Sequence, residues 1–365
     1  MSRFLTPLAQ SLPSTVPFVG PEAQERALGR AFIARLGANE SLFGPSPRAI
    51  AAMQAAAQDA WMYGDPENHD LKAALAAHHG LTPDHVVVGE GIDGLLGYLA
   101  RLTVDRGTPV VTSAGAYPTF SFHITGYGGP LTRVPYAANH EDPAALLDAA
   151  RATGARLIYL ANPDNPMGSH HPGLRIADMI ANLPDTTLLV LDEAYVDLAP
   201  PGTAAPVAAD DPRVIRLRTF SKAYGLAGAR VGYALAEPGL ARAFDKVRNH
   251  FGLSRIGQAV ALAALADTDY LAQIQHLAAK SRQRLSDIAA ANGLIPLPSA
   301  TNFVTMDCGR DGAHARAVLA ALIAQGIFVR MPGVAPLDRC IRVSLGTTTA
   351  LDAFEAALPR ALKVL

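Results

Sequence analysis

Six short apolar runs recur through the first two thirds of the chain: HVVVG (85–89), TPVVTS (108–113), ARLIYLA (155–161), TTLLVLDE (186–193), RVIRLRT (213–219) and RVGYALA (230–236). They are nearly continuous in hydrophobicity, not alternating, and helix-length segments separate most of them. That pattern predicts strands buried on both faces, hence a mostly parallel sheet between layers of helices. In such a sheet the ligand crevice lies outside the carboxyl ends of the strands. The polar segments that follow the runs should therefore meet in one place: GEGIDG (89–94), SAGAYP (113–118), ANPDNPMG (161–168), DEAY (192–195) and TFSKAYGLAGAR (219–230).

Beyond about residue 236 the pattern changes to long helical stretches through Ala291. Three more strand candidates, NFVTMD, GIFVRM and CIRVSLG, interleave with helices and predict a smaller α+β domain. With 365 residues the chain is long enough for two domains. The expected division is an N-terminal arm with part of the small domain (1–45), a large domain (46–245) and a small C-terminal domain (246–365). A formal net charge of −1 leaves no electrostatic footprint for nucleic acid or an anionic membrane. No apolar run approaches the ~20 residues of a membrane span, and the first twenty residues lack a signal-peptide core. Two cysteines without C-x-x-C spacing suit a reducing, cytoplasmic setting.

The segment after the first run spells G-x-G-x-x-G at Gly89, Gly91 and Gly94, which on its own suits a dinucleotide pyrophosphate on a helix N-terminus. That reading needs a carboxylate about 20 positions on, at the end of the next strand. The chain has Thr112, Ser113 and Ala114 there, which argues against a nicotinamide oxidoreductase. Chemistry lies elsewhere among the strand ends. Of five lysines, only Lys222 follows a strand and is flanked by hydroxyls, Thr219 and Ser221. It can form a Schiff base with a carbonyl if its surroundings lower its pKa, or it can simply bind phosphate. Asp192 closes a strand, either as a crevice carboxylate or as a cap on the next turn. A Schiff-base lysine with a strand-end aspartate suggests pyridoxal phosphate, whose ring nitrogen the aspartate pairs.

The remaining groups fit the same cofactor. Asn165 and Tyr195 can donate to a ring phenolate, or stabilise their loops. Tyr117 can stack on the ring, or belong to the core. Backbone amides of Gly91, Ile92 and Asp93 at a helix start, the Thr219 and Ser221 hydroxyls and the Arg230 fork can form a phosphate cup. The paired histidines at 78–79 and 170–171 read as solvent-facing residues rather than metal ligands, and no metal is expected.

Together these residues resemble the fold-type I pyridoxal-phosphate aminotransferases, and within them the histidinol-phosphate aminotransferase group. The resemblance runs through ANES (38–41), YGDP (63–66), NPDNPMG (162–168), LDEAY (191–195), TFSKAYGLAGARVG (219–232) and IRVSLGT (341–347), in the family's order over nearly the whole chain. It implies an α/β fold with a seven-stranded-type sheet in the large domain, and pyridoxal 5'-phosphate as a covalent Schiff base on Lys222. Lys222 is then also the proton shuttle, Asp192 the partner of the ring nitrogen, and Asn165 and Tyr195 the residues at the ring oxygen. Tyr117 is the stacking aromatic. Tyr63 falls where the family sends a tyrosine to the neighbouring subunit's cofactor phosphate, implying a homodimer with shared active sites. Arg342 falls at the arginine that holds the substrate's anionic group, Arg330 falls near a second arginine that contacts it, and Asn39 lies in the substrate-binding segment.

Two departures stand out. The family commonly has a serine where this chain has Ile92, and often a tyrosine near the substrate phosphate where this chain has Phe18. The expected reaction is amino transfer from histidinol phosphate to 2-oxoglutarate. Aromatic amino acids are an alternative donor, and a phosphothreonine-type decarboxylase is an alternative reaction on the same fold. A non-catalytic cofactor sensor is disfavoured, since no basic helix-turn-helix module precedes the domain.

Overall fold

A computed structural model of the chain describes residues 3–14 and 19–363. A two-residue strand, β1 (Ala34–Arg35), comes first. Seven strands then build one sheet: β2 (Val86–Gly89), β3 (Val110–Ser113), β4 (Leu131–Val134), β5 (Leu157–Ala161), β6 (Leu188–Asp192), β7 (Val214–Thr219) and β8 (Gly232–Leu235), in the spatial order β2-β8-β7-β6-β5-β3-β4. β3 through β7 run parallel, and β8 is antiparallel to both its neighbours, β2 and β7.

The expected α/β sheet is present, with one strand the apolar runs did not reveal. β4 reads LTRV, and only Val134 of its four residues is buried. It lies at the sheet edge, where one face meets solvent and no continuous apolar run is needed.

Side chains of the central strands part to two cores. In β5, Leu157, Tyr159 and Ala161 join Leu95, Leu99 and Phe120 on one face, while Ile158 and Leu160 join Leu146, Ile176 and Ile180 on the other. This period-two separation explains why the run is apolar throughout: both faces are covered. The covering helices are punctuated by local chemistry. Helix Pro143–Thr153 starts with Asp142 accepting from the amides of Ala144 and Ala145, has proline in its first turn, and ends at Gly154 in the left-handed region.

After the sheet, helices Arg255–Leu265 and Thr268–Ala291 lead to four short strands, β9 (Ile295–Pro296), β10 (Phe303–Asp307), β11 (Ile327–Phe328) and β12 (Cys340–Ser344). β12, β10 and β9 form an antiparallel sheet, and β11 pairs in parallel with β1. GIFVRM thus contributes only two strand residues, because its single partner, β1, is equally short. Arg330 continues as an isolated bridge to Arg342, which brings the two arginines side by side. Among the described residues no helix is long and apolar enough to cross a membrane.

Candidate active site

The carboxyl ends of the strands open on a cavity of about 330 Å³. Strand register delivers its floor: β5 and β6 pair Ala161 with Asp192, and β7 and β8 pair Thr219 with Gly232. Of the residues expected at a site, Ile92, Asp93, Tyr117, Asn165, Asp192, Tyr195, Thr219, Ser221, Lys222, Arg230, Arg330, Arg342 and Asn39 all line this cavity. Gly91 lies just behind the wall, and Tyr63 is 75% exposed on the surface, its ring 4.8 Å from that of Phe251. Phe18 lies outside the described residues.

Lys222 stands in the turn after β7. Its Nζ donates to the carbonyl of Asn39 at 2.9 Å. Burial, together with the charges of Arg342 and Arg230, lowers its pKa to about 8, against the opposing pull of Glu40 and Asp192. A lysine so placed is far more often neutral near physiological pH than an exposed one, which is what nucleophilic attack on a carbonyl requires.

Asp192 is buried, and burial pushes its carboxyl up to about 6. Two donors oppose that: the Tyr159 hydroxyl at 2.7 Å and the Ala194 amide at 3.0 Å. Tyr159 was not among the expected site residues, because inside ARLIYLA it reads as core. The structure makes it both, with its ring stacked on Phe120 and its hydroxyl in the cavity wall.

The Tyr195 hydroxyl accepts from Asn39 Nδ2 and from Asn165 Nδ2, each at 3.2 Å. Both partners are donors, so the hydroxyl proton remains for a further acceptor. Burial holds the Tyr195 pKa well above its ordinary value, so that proton stays on at neutral pH. Asn165 in turn accepts from Arg342 Nη1 through its Oδ1. Arg342 lies over the Phe303 ring, 5.1 Å from its centroid. Among the described residues the buried Nε atoms of Arg342 and Arg330 have no hydrogen-bond partner. Burial lowers the pKa of both guanidiniums, yet both remain cations.

A second cluster lies at the start of helix Gly91–Thr103. Thr219 Oγ1 and Ser221 Oγ are 3.0 Å apart, and Arg230 reaches over them, donating to the carbonyls of Ala227 at 3.1 Å and Glu90 at 3.3 Å. Gly91 suits the site through its backbone, and any Cβ there would have to displace the Arg230 fork. Its φ is +79°, and a Cβ would sit 2.5 Å from Arg230 Nη2. The helix N-terminus, two hydroxyls and a guanidinium form a ready-made anion cradle. Ile92 in place of the family's serine leaves the backbone amides available.

The histidines correct one expectation at two positions: His79 packs against Tyr233, its Nε2 2.9 Å from the hydroxyl, and His171 turns inward. His171 is buried, not solvent-facing, with its Nε2 2.7 Å from the Glu141 carbonyl oxygen and its amide donating to Asn162 Oδ1. It closes the Asn162 turn against its neighbours, a structural use invisible in a short polar run. Among the described residues no group of histidine, cysteine or acidic side chains could hold a metal.

A sequence model of the family Aminotransferase class I and II matches residues 33–358. The chain is 36% identical over 360 residues, 98% of each chain, to histidinol-phosphate aminotransferase of Anaeromyxobacter sp. (strain Fw109-5). It is 33% identical over 352 residues, 95% of this chain and 90% of the relative, to the protein of the same name from Moorella thermoacetica (strain ATCC 39073 / JCM 9320). Among solved structures, it superposes with a TM-score of 0.97 and 57% identity on histidinol-phosphate aminotransferase from Sinorhizobium meliloti in complex with pyridoxal-5'-phosphate, covering 100% of this chain and 99% of that one.

Proposed function

The chain belongs to the class I and II aminotransferases, and from that premise we propose that it is a pyridoxal-phosphate-dependent histidinol-phosphate aminotransferase with 2-oxoglutarate as amino acceptor. The observation that carries this reading is a lysine with a depressed pKa facing a buried carboxylate across one cavity, with an anion cradle at its side. The residues fit the cofactor group by group. Lys222 offers the amine for its aldehyde, Asp192 the acceptor for a protonated ring nitrogen, and Tyr195 a proton donor for its ring oxygen. Gly91, Ile92, Asp93, Thr219, Ser221 and Arg230 offer a phosphate site. When bound, pyridoxal phosphate supplies the electron sink that stabilises a carbanion at the substrate's Cα.

The chain's own residues do the rest. Lys222 would hold the cofactor through its amine, and the same amine, with a pKa near 8, is suited to taking and returning the Cα proton. Asn39, through its carbonyl, fixes where that amine sits. Tyr117, at the cavity wall, would stack on the ring. Arg342 and Arg330 bind the substrate's anionic group.

We place Tyr63 at the cofactor phosphate of a second copy of the chain. Its exposure and its contact with the exposed Phe251 support a homodimer with shared active sites. The division into residues 1–45, 46–245 and 246–365 belongs to the same proposal. So does a cytoplasmic location, which the two buried, unpaired cysteines support.

Borohydride reduction of the holoenzyme followed by peptide mapping tests the mechanism: the label should sit on Lys222, and a label on any other lysine overturns it. Single-turnover assays with histidinol phosphate, phenylalanine, tyrosine and phosphothreonine test the substrate. Histidinol phosphate should react fastest, yielding the corresponding ketone, and phosphothreonine should release no carbon dioxide.

A further inference from the structure

Asp192 ends β6 with its side chain in the cavity, and the next residue turns the other way. Successive strand positions point to opposite faces, so Glu193 falls behind the sheet, where it is 1% exposed. Two arginines of β7 reach it there. Arg216 donates from Nε and Nη2 to the two carboxylate oxygens, each at 3.1 Å, and Arg218 donates from Nε to Oε2 at 2.8 Å. Strand register explains the meeting. β6 and β7 pair Leu191 with Arg216 and Asp192 with Leu217, so Arg216 and Arg218 share the face of Leu191 and Glu193. Arg218 Nη1 also lies 3.8 Å from Asp197. The cluster thus sets two acids against two guanidiniums, and its formal charge is zero.

The surrounding groups leave that balance in place. Burial raises the pKa of Tyr224 and of Tyr233 on β8, and burial with the Arg218 charge lowers that of His79 to about 3. Burial raises the Asp197 pKa, while Arg218 and the exposed His78 oppose it. None of these groups lines the cavity. A charge among them still reaches Asp192, because Glu193 is its neighbour in the chain and protein, not water, lies between the two carboxyls. Glu193 works against the Asp192 carboxylate, while on the cavity side Asp192 faces Tyr159 and Lys222. A buried acid without cations would leave that repulsion unanswered. Three charge-assisted hydrogen bonds on one carboxylate answer it.

We propose that Arg216 and Arg218 are positioning residues for the ring-nitrogen site: by neutralising Glu193 behind the strand, they leave Asp192 free to carry its charge in front. This rests on the reading of Asp192 as the partner of the cofactor's ring nitrogen. With one arginine discharged, the cluster becomes negative and favours a proton on Asp192. With Glu193 discharged, the cluster becomes positive and favours the carboxylate.

The test is a carbon-13 titration of the aspartate carboxyls in the full chain without cofactor, the Asp192 signal being the one absent from Asp192→Asn. Arg216→Gln keeps a donor and drops the charge. It should raise the Asp192 pKa by on the order of one pH unit, the scale of a unit charge felt through protein. Arg216→Lys keeps the charge and should stay near the wild-type value. Glu193→Gln should lower it. A brace with no electrostatic role would loosen the turn in Arg216→Gln and Glu193→Gln alike, admit water to Asp192 and lower both values. A fall or no change in Arg216→Gln therefore overturns the proposal. If that variant does not fold, Glu193→Gln decides, and an unchanged or raised value overturns it. Failure of the underlying reading looks different. In the holoenzyme carrying nitrogen-15 pyridoxal phosphate, Asp192→Asn should move the ring-nitrogen signal toward its unprotonated position. A signal identical to the wild type's removes Asp192 from the ring nitrogen, whatever the carboxyl titration gives, and the proposal falls with it.

Discussion

Replacing Tyr159 by phenylalanine removes one oxygen from a packed position. The ring stacks on Phe120 at a centroid distance of 4.7 Å and an interplanar angle of 17°, and it has no solvent exposure. Phenylalanine keeps that packing, so nearly the whole effect falls on Asp192, which loses the 2.7 Å bond to Oδ2 and keeps only the Ala194 amide. A hydrogen bond to a buried charged group contributes about 1.5–3 kcal/mol. At 1.36 kcal/mol per pH unit, the Asp192 carboxyl should rise by about 1–2 pH units above its present value near 6.

The sign of the stability effect follows. Asp192 has a folded-state pKa above its unfolded value of 3.8, so its contribution is fully present below pH 3.8 and is lost as pH rises through the folded pKa. The variant's loss runs further, through its higher folded pKa. Urea unfolding of the cofactor-free protein should therefore show a penalty of about 1.5–3 kcal/mol at pH 8 and a clearly smaller one at pH 5, where the carboxyl is protonated in both proteins. Equal penalties at the two pH values, or none at pH 8, would refute the coupling of Tyr159 to the Asp192 charge.

Three other perturbations probe different links. Gly91→Ala drives a Cβ to 2.5 Å from Arg230 Nη2 at a φ of +79°; fluorescence titration should show pyridoxal phosphate affinity falling by about tenfold or more, on the scale of losing a charge-assisted phosphate contact. Gly225→Ala places a Cβ 2.3 Å from the Gly44 carbonyl oxygen at a φ of +68°; with backbone on both sides unable to yield, it should cost roughly 3 kcal/mol or more, read as a fall in the urea midpoint or in soluble yield. His79 packs its Nε2 2.9 Å from the Tyr233 hydroxyl, and burial, aided by Arg218, lowers its pKa to about 3. Its stabilising contribution is thus present above its unfolded value of 6.5 and is lost as pH falls toward 3, so His79→Gln should flatten the acid limb of the melting-temperature profile in that window.

Much of the site was legible because open α/β sheets put their chemistry where apolar runs end. Lys222, Asp192, Tyr195 and Asn165 each stand within a few residues of a strand terminus, and their convergence needs no knowledge of side-chain geometry. What escaped detection did so for definite reasons. Tyr159 lies within an apolar run, where a tyrosine is indistinguishable from core until its hydroxyl is seen on Asp192. Glu141 precedes a helix that starts at Pro143 and looks like a solvated acidic turn, yet it is 1% exposed and accepts from the Ser113 hydroxyl and the Ala161 amide. β8 reads like its neighbours because burial on both faces, not strand direction, sets its composition. The edge strand β4 lacks the signal altogether, since half of its surface is wet.

The bond from Lys222 to the carbonyl of Asn39 spans 183 positions of sequence. The same asparagine, held at a φ of 55°, also meets Tyr195, Asn302 and Ser344. During synthesis the lysine leaves the ribosome well before Ser344, the most distant of these anchors. A nascent chain can therefore complete its central sheet while its reactive amine is still only partly restrained. The final placement of that amine waits for β12, and a fragment ending short of residue 340 would carry the lysine without its full clamp.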